Sequence, residues 1–482
     1  MQQETPVNLL SGDKKGGLAV DYRDALPINF YAVESDLFGT KGYLLQIAGL
    51  SHYGTGFGAD RGGVWNERHK KHYRVSGERF ISVAADGTVE DIGYVYGADD
   101  VSLPYSFNTQ AIIASRKFYL YDPQFGFREI TLNVGDPIDG CWVDSVYFFT
   151  DGEYLYHTDF SSEASISSFK YDTSAISPDI TVGVARTVDN KVAVFNRYTT
   201  EYFQTRGADP AAFQGQFGFG RVKGRLLKTG IVGTHCKCEM DGKFMIMGGK
   251  KEENVSIHAL TVGGTEKLAT REVDKIIGKY TEDELGTSKL EARVEDGNMF
   301  LIVHLPNETL MLNYTLAKVA GLALAWSILK SDVYTDTFTG KARDYRAKNI
   351  VFDPRRGQWV GGDKETGKLC VIDNEISTHF DELAECVLFT PFLDLETMSI
   401  DEIDIETVAG FTTTKDATVA ISMTYDGVTY GKEWWAQYGQ PSDYGKRFIA
   451  RRLGYIRDWV GLKFRIASRS RVAFARFKLK YG

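Results

Sequence analysis

The chain offers one cluster of residues with the chemistry to bind a soft metal ion, His235-Cys236-Lys237-Cys238. A structural zinc site needs about four such ligands, usually supplied as two spaced pairs. The cysteines at positions 141, 370 and 386 are isolated, and the remaining histidines are scattered. On a strand, Cys236 and Cys238 point to the same face, which suits a buried apolar surface equally well. We therefore expect buried thiols, no metal site and no disulfide framework.

Three carboxylates form a possible acid cluster. Glu402, Asp404 and Glu406 alternate with Ile403 and Ile405, so they lie on one face of a predicted strand, here called the acidic face. Paired carboxylates can serve a hydrolase, but hydrolysis requires two of them in different environments across a cleft. The pattern instead favours a solvated or salt-paired sheet surface.

The C-terminal end shows the same alternation with the opposite charge. Lys463 and Arg465 alternate with apolar residues in one run, as do Arg476, Lys478 and Lys480 in the next, and we call these five residues the basic stripe. Such a stripe can bind DNA phosphate. A channel that lets DNA slide is better lined by acidic or neutral groups, because each phosphate contact adds affinity that resists movement. We therefore favour docking on an acidic protein surface, either the chain's own acidic face or a neighbour's.

No catalytic motif accompanies these charges. The sequence has no Ser-His-Asp elbow, no His-Glu-x-x-His zinc motif and no dinucleotide fingerprint. Segment 362–368, Gly-Asp-Lys-Glu-Thr-Gly-Lys, superficially resembles a phosphate loop, but no helical pattern follows it, so we predict a hairpin turn. We infer that the protein is not an enzyme and uses no cofactor.

The composition is that of a folded chain with a large core. Among 482 residues, 26 Tyr, 29 Phe and 7 Trp supply ample apolar area to bury. Neither a secretion signal nor a membrane-spanning run is predicted, which indicates folding in a cytosol. The net charge of −8 is uneven, because residues 441–482 carry twelve Lys or Arg and two Asp, which leaves −18 on residues 1–440.

One pattern repeats from about residue 42 to residue 374. A strand-like run is followed by a Gly or Asp-Gly turn and a second run that ends in aromatic residues, as on either side of Asp151-Gly152. The period of roughly 40 to 60 residues is that of β-propeller blades, which predicts six or seven blades. A pair of β-sandwiches is the alternative. Helical pattern is confined to 271–280 and 281–285, where Thr281 and Glu284 have capping-box spacing.

After residue 383 the pattern changes to six strand-like runs in about a hundred residues, the size of a β-sandwich. The sequence therefore predicts an all-β chain with three parts. These are an N-terminal segment 1–45, a β-propeller-like domain 46–383 and a C-terminal β-sandwich domain 384–482.

Several short segments carry a family resemblance, the longest between residues 444 and 465 and the others at 26–29, 275–277, 302–306, 388–391 and 426–433. They resemble the DNA-stabilisation, or tail-hub, proteins of P22-like short-tailed bacteriophages. The resemblance implies a structural part of the virion tail that is synthesised in the bacterial host cytoplasm. It also implies a homo-hexameric ring below the portal and the head-to-tail adaptor ring.

The same resemblance implies that the ring closes and stabilises the packaged DNA, which passes through a central channel without sequence-specific binding. The tail needle or tip, and tailspikes or tail fibres at the side, are the further partners that it implies. The alternative from another class is a β-propeller protein that binds or degrades glycans, because aromatic residues such as Trp434-Trp435 can stack on sugar rings. Neighbouring strand residues point to opposite faces, which leaves one of the two tryptophans buried.

Overall fold

The computed structural model is built almost entirely of strands. It describes residues 3–7, 26–37, 40–167, 170–174, 176–207, 217–331, 344–390, 392–394, 397–407, 415, 417–427, 429–438, 440–443 and 448–482. Within these ranges the strands form nine sheets, of which seven are the blades of a propeller and two form a sandwich. The predicted all-β architecture is confirmed, and the seven blades fall within the predicted six or seven.

Four strands precede the first complete blade: β1 (Gln3–Val7), β2 (Phe30–Leu37), β3 (Thr40–Gln46) and β4 (Gly49–Thr55). Blade 1 contains β5 (Asp60–Asn66), β6 (Lys71–Ser76), β7 (Arg79–Val83) and β8 (Val89–Tyr94). Blade 2 contains β9 (Gln110–Ala114), β10 (Lys117–Asp122) and β11 (Gly126–Ile130). Blade 3 contains β12 (Asp139–Val143), β13 (Val146–Thr150), β14 (Tyr154–His157) and β15 (Tyr171–Thr173).

Blade 4 contains β16 (Thr181–Arg186), β17 (Val192–Asn196), β18 (Thr200–Thr205) and β19 (Phe219–Arg221). Blade 5 contains β20 (Gly230–Ile231), β21 (Lys237–Met240), β22 (Lys243–Gly249), β23 (Ser256–Thr261) and β24 (Gly264–Lys267). Blade 6 contains β25 (Lys289–Glu295), β26 (Asn298–His304), β27 (Thr309–Asn313) and β28 (Trp326–Leu329). Blade 7 contains β29 (Ala347–Asp353), β30 (Gln358–Asp363) and β31 (Lys368–Asp373), and β4 is its outer strand.

The propeller closes because β4 pairs with β31, so that the first propeller strand completes the last blade. Inner strands such as β13 and β17 are buried along their whole length, since neighbouring blades cover both of their faces. This explains why the sequence there is a continuous apolar run rather than an alternating one. Each buried Val or Phe contributes about 1.5–3 kcal/mol through the hydrophobic effect.

The short helices and turns follow local sequence signals. The helices are α1 (Arg271–Ile277), α2 (Glu282–Gly286) and α3 (Tyr314–Ala320). The predicted capping box is present, because Glu284 and Thr281 each bind the other's backbone nitrogen. At the turn between β21 and β22, Asp241 and Gly242 have φ values of 56° and 69°, a left-handed conformation that Asp-Gly accommodates.

The remaining strands are β32 (Glu385–Phe389), β33 (Leu393–Asp394), β34 (Met398–Thr407), β35 (Thr418–Thr424), β36 (Trp434–Gln437), β37 (Phe448–Ile456), β38 (Trp459–Ala467) and β39 (Ala473–Tyr481). One sandwich sheet has the order β32-β38-β35-β36, with β33 paired to β38. The other has the order β2-β3-β39-β34-β37, with β1 paired to β39. Strands from the predicted N-terminal segment therefore belong to a sandwich sheet.

Segment 26–29, here called the strap, joins the propeller to the sandwich. The backbone of Ile28 exchanges two hydrogen bonds with Val387 of β32, and the neighbouring Asn29 amide donates to the Ile328 carbonyl of β28. The Asn29 side chain donates to the Lys330 carbonyl at 2.9 Å and to the Glu385 carbonyl at 2.8 Å. One hydrophobic cluster also contains residues of both parts. The two parts are thus connected by main-chain bonds and by a common core.

Candidate functional site

The acidic face and the C-terminal half of the basic stripe lie against each other inside one sheet. β34 and β39 are antiparallel neighbours, and their register sets Glu402 opposite Lys480 and Asp404 opposite Lys478. The Lys480 ammonium lies 2.8 Å from Glu402, which also accepts a hydrogen bond of 3.0 Å from Arg451. The pKa of Glu402 is lowered by its bonds to these two cations.

The same register continues toward the start of β39. Asp404 is buried, with 2% of its surface exposed. The backbone of Glu406 faces that of Arg476. The side chains of Glu406 and Arg476 lie outside the described residues. The chain's own acidic face thus lies beside the part of the stripe on β39.

The rest of the basic stripe lies on another strand, in the other sheet of the sandwich. Lys463 and Arg465 belong to this strand, β38. Lys463 is 6% exposed, and its ammonium lies 4.3 Å from the centre of the Tyr430 ring. The alternation was the same in both runs, but the connection 468–472 carries the chain from one sheet to the other, so the charges separate.

Arg465 is held by acidic and aromatic neighbours. Its guanidinium lies 3.1 Å from Glu385 and 3.0 Å from Glu433. It also covers the ring of Trp435 at 5.3 Å, while the neighbouring Trp434 packs against the core. The cations of the basic stripe that the structure describes are therefore engaged within the fold, and of the two tryptophans Trp435 is the exposed one, with Arg465 against its ring.

The Cys-x-Cys segment lies at the start of β21, facing the helical insertion. The Cys236 thiol is 3.3 Å from the Ser288 carbonyl, and burial raises the pKa of this thiol to about 12. Burial also raises the pKa of Cys238 and lowers the pKa of His235 to about 4. A thiol with a raised pKa is a poor metal ligand, because metals bind the thiolate. Segment 362–368 is the hairpin turn between β30 and β31, as predicted.

The propeller axis contains a set of charged residues that the sequence analysis missed, here called the axial network. Its members share a position on the first strand of a blade or just before it. They are Asp60, Asp100, Asp139, Lys237, Lys289, Glu291 and Lys348. The first strands approach one another around the axis, and in blade 2 the segment around Ser102 pairs with β9 and takes this place.

Bonds of the axial network cross the axis between blades that are not neighbours. Lys348 of blade 7 is 2.6 Å from Asp100, which precedes blade 2, and Lys237 of blade 5 is 2.7 Å from Asp139 of blade 3. Asp139 also accepts hydrogen bonds from the Ser102 hydroxyl at 2.6 Å and the Val184 amide at 2.9 Å. Such short links leave the axis closed at this level.

Two carboxylates of the axial network, Asp100 and Glu291, are stabilised in their ionised form by neighbouring groups, whereas burial raises the pKa of Asp60. Burial opposes ionisation of Asp100, but Lys289 and Lys348 outweigh it and hold the pKa of this carboxyl at about 2. Burial likewise opposes ionisation of Glu291, yet His304 and Lys289 lower its pKa. One signal of this network was present in the sequence, since Asp139 begins an otherwise apolar strand.

No group of three or more His, Cys, Asp or Glu side chains within the described ranges has the geometry to hold a metal ion. No helix among the described residues is both long and apolar enough to span a membrane.

Comparison with known proteins identifies relatives along the whole chain. A family model described as the β-propeller of bacteriophage P22 Gp10 matches residues 4–377, and a model described as the β-sandwich of the same protein matches residues 385–482. The tail hub protein gp10 of Salmonella phage P22 is 26% identical over 487 residues, covering 98% of each chain.

Two solved structures match part of the chain at low similarity. A streptogramin B lyase is 12% identical with a TM-score of 0.41, over 67% of this chain and 97% of the lyase. The WD40 domain of Neurospora crassa Pan2 is 9% identical with a TM-score of 0.40, over 68% of this chain and 96% of that domain.

Proposed function

The chain belongs to the bacteriophage P22 Gp10 family, and from this premise we propose that it forms the ring-shaped hub of a short phage tail. It is a structural component of the virion tail and not an enzyme. The proposed ring is a homo-hexamer that lies below the portal and the adaptor ring, closes the packaged DNA, and meets the tail needle or tip. Tailspikes or tail fibres are its proposed lateral partners.

The strap is the observation that carries this proposal. A hub transmits force between a head and a tail, so its parts must not hinge freely. Asn29 is fully buried and binds both Lys330, next to the propeller, and Glu385, in the sandwich. Arg471 of the sandwich adds a second connection, because its guanidinium donates to the side-chain oxygen of Asn374, just after the last strand of blade 7, at 2.9 Å. A joint of this kind restricts hinge motion between the propeller and the sandwich, as the transmission of force requires.

The closed propeller axis supports a particular position for the DNA channel. The bonds of the axial network between Asp139 and Lys237 and between Asp100 and Lys348 leave no passage for a duplex through a single propeller. We therefore place the channel between copies of the chain, at the centre of the ring. The engaged cations Arg465 and Lys480 favour passage of DNA without sequence-specific grip, because their charge is already neutralised.

Ring formation is tested by sedimentation and microscopy of the purified full-length chain. We expect a monomer or weak association at low protein concentration, because the acidic body of net charge −18 repels its own copies until a partner offsets that charge. Particles that carry portal and adaptor rings should then bind the chain as a six-fold ring in negative stain. A chain that stays monomeric with those particles, or that binds or cleaves polysaccharide instead, would contradict the proposal.

A further inference from the structure

A funnel opens on the propeller axis above the closed level. Its cavity of about 550 Å³ is lined by blades 1 to 5, away from blades 6 and 7, to which the strap and the sandwich attach. The ion pair of Asp139 and Lys237 forms its floor. This volume lies within the range of about 300–1,000 Å³ that is usual for ligand pockets.

Two arginines give the funnel its charge. Arg68 lies in the turn between β5 and β6, where its guanidinium is 4.2 Å from the centre of the Phe107 ring. Arg186 is exposed at the end of β16. Neither side chain forms an ion pair or a hydrogen bond with the described residues, whereas Lys237 and Asp139 neutralise each other. The lining therefore has two uncompensated positive charges on a chain whose body is acidic.

The funnel wall donates hydrogen bonds more readily than it accepts them. The floor carboxylate of Asp139 already binds Lys237, Ser102 and the Val184 amide. The indole nitrogen of Trp142 makes no hydrogen bond with any described residue, which leaves a third donor beside the two guanidinium groups. Among the lining side chains, the hydroxyls of Ser102 and Tyr105 retain lone pairs that can accept, which is fewer groups than the donors. A fitting ligand thus supplies acceptors and negative charge.

Three classes of ligand fit this chemistry unequally. Sugars carry hydroxyl groups that donate as well as accept, and they would leave donors unpaired against this wall. A nucleic acid is a long polyanion, which the acidic body repels over distances of about 8–10 Å. A short peptide with one or two carboxylates beside apolar side chains matches both arginines and the aromatic surfaces of Phe107 and Trp142.

We propose that this axial funnel docks an acidic, aromatic-bearing peptide segment of another virion protein, with Arg68 and Arg186 binding its carboxylates. The identity of the partner as a virion protein rests on the proposed function, whereas the peptide chemistry rests on the funnel alone. The docked segment would be a second attachment point, separate from the joint between propeller and sandwich.

Fluorescence anisotropy with the full-length chain tests the peptide chemistry. The probe is a labelled hexapeptide of alternating Phe and Asp, compared with the same peptide carrying Asn for Asp. We expect saturable binding of the acidic peptide only, weakened about fivefold by Arg68→Gln or by Arg186→Gln and about 25-fold by the double variant. Arg128→Gln, which removes an exposed arginine from the outer strand β11, is the matched control and should leave binding unchanged.

Several outcomes would overturn the proposal. They are no binding of the acidic peptide at millimolar concentration, equal binding by the double variant, and tighter binding of a six-nucleotide oligothymidylate or of oligogalacturonate. Ring formation of the double variant on adaptor-bearing particles separates this inference from the proposed function. Intact rings that lack a second virion protein would support the docking role, whereas loss of the ring itself would assign the funnel to a neighbouring copy.

Discussion

Asp139 shows how one residue can connect several blades. It begins β12 in blade 3, and its carboxylate receives Lys237 from blade 5, the Ser102 hydroxyl from blade 2 and the Val184 amide from blade 4. The carboxylate is 2% exposed, so each of these donors loses its water when the propeller closes. A buried carboxylate in this position is stable only when all of its hydrogen-bond donors are in place.

Replacing Asp139 with Ala should therefore destabilise the protein strongly. The change leaves the Lys237 ammonium buried and unpaired, which costs about 3–5 kcal/mol. Urea unfolding followed by tryptophan fluorescence measures this loss. The control is Lys250→Ala, which breaks the exposed pair with Glu253 and should change stability by less than about 0.5 kcal/mol. Equal effects of the two substitutions would show that the axial network does not hold the blades together.

At the scale of elements, the strap makes the propeller and the sandwich one unit. Asn29 has a φ of 56°, a left-handed conformation that asparagine tolerates better than most residues. Its side chain donates to two buried carbonyls and accepts a hydrogen bond from the Lys330 amide. Asn29 thus both adopts the left-handed conformation of the strap and makes three of its hydrogen bonds.

We predict that Asn29→Gly loosens this joint by about 2–4 kcal/mol, because glycine keeps the conformation but leaves buried polar groups without partners. Limited proteolysis should then cut near residue 29, or in segment 374–384, faster than in the parent chain. Differential scanning calorimetry should show a broader or divided transition. A single unshifted transition would mean that the common core alone couples the two parts.

The pairing of β34 with β39 predicts that Lys480 of the basic stripe contributes to stability. Lys480→Glu sets two carboxylates in contact within one ladder, which should cost about 1 kcal/mol. The double variant Glu402→Lys, Lys480→Glu should recover part of that loss, as measured by urea unfolding, because the lysine introduced at position 402 also faces Arg451. Failure of this rescue would show that the pair contributes no mutual energy.

Reversing the charge of Lys463 is expected to destabilise the protein more than reversing the charge of Lys480. Because Lys463 is nearly buried beside Tyr430, Lys463→Glu should destabilise the sandwich by about 3 kcal/mol or more. The alternation alone suggests that reversing every charge of the basic stripe leaves the fold unchanged. The burial of Lys463 predicts instead that this reversal destabilises the fold. The parent chain should bind duplex DNA weakly at physiological salt, and a tight, salt-sensitive complex would contradict this interpretation.

At the scale of the whole molecule, buried histidines couple folding to pH. Burial lowers the pKa of His72, His157 and His235 to about 4 and that of His379 to about 3. The unfolded chain binds these protons near pH 6.5, so it takes them up before the folded chain does. Stability is therefore complete above about pH 6.5 and falls as the pH decreases toward 4.

We predict that the urea midpoint decreases steadily between pH 7 and pH 4.5. Each buried histidine contributes a slope of up to about 1.4 kcal/mol per pH unit. His379→Gln should make the slope shallower by the contribution of one buried histidine. His52→Gln, at an exposed position, should leave the slope unchanged. A midpoint that is independent of pH across this window would contradict the prediction. Below this range Asp100, whose pKa is held at about 2, adds a further loss.

The sequence by itself determined the local structure and the fold class. The blade period, the Asp-Gly turns and the capping box at Thr281 are signals between residues close in the chain, so they can be read without a structure. The alternation in the last runs also identified the core side of β38 and β39, since Leu462, Phe464 and Phe477 are buried. The predicted boundary near residue 383 stays a prediction, and we propose that β2 and β3 be grouped with the sandwich.

The tertiary structure alone decided which strands become neighbours. An alternating run specifies two faces but not the sheet that it joins, so one predicted stripe became two sets of paired charges on β38 and β39. The axial network depends on contacts between distant segments, such as Lys348 with Asp100, that no local pattern marks. The strap shows the same limit, because Asn29 meets partners about 300 or more residues away, and only chain topology brings them together.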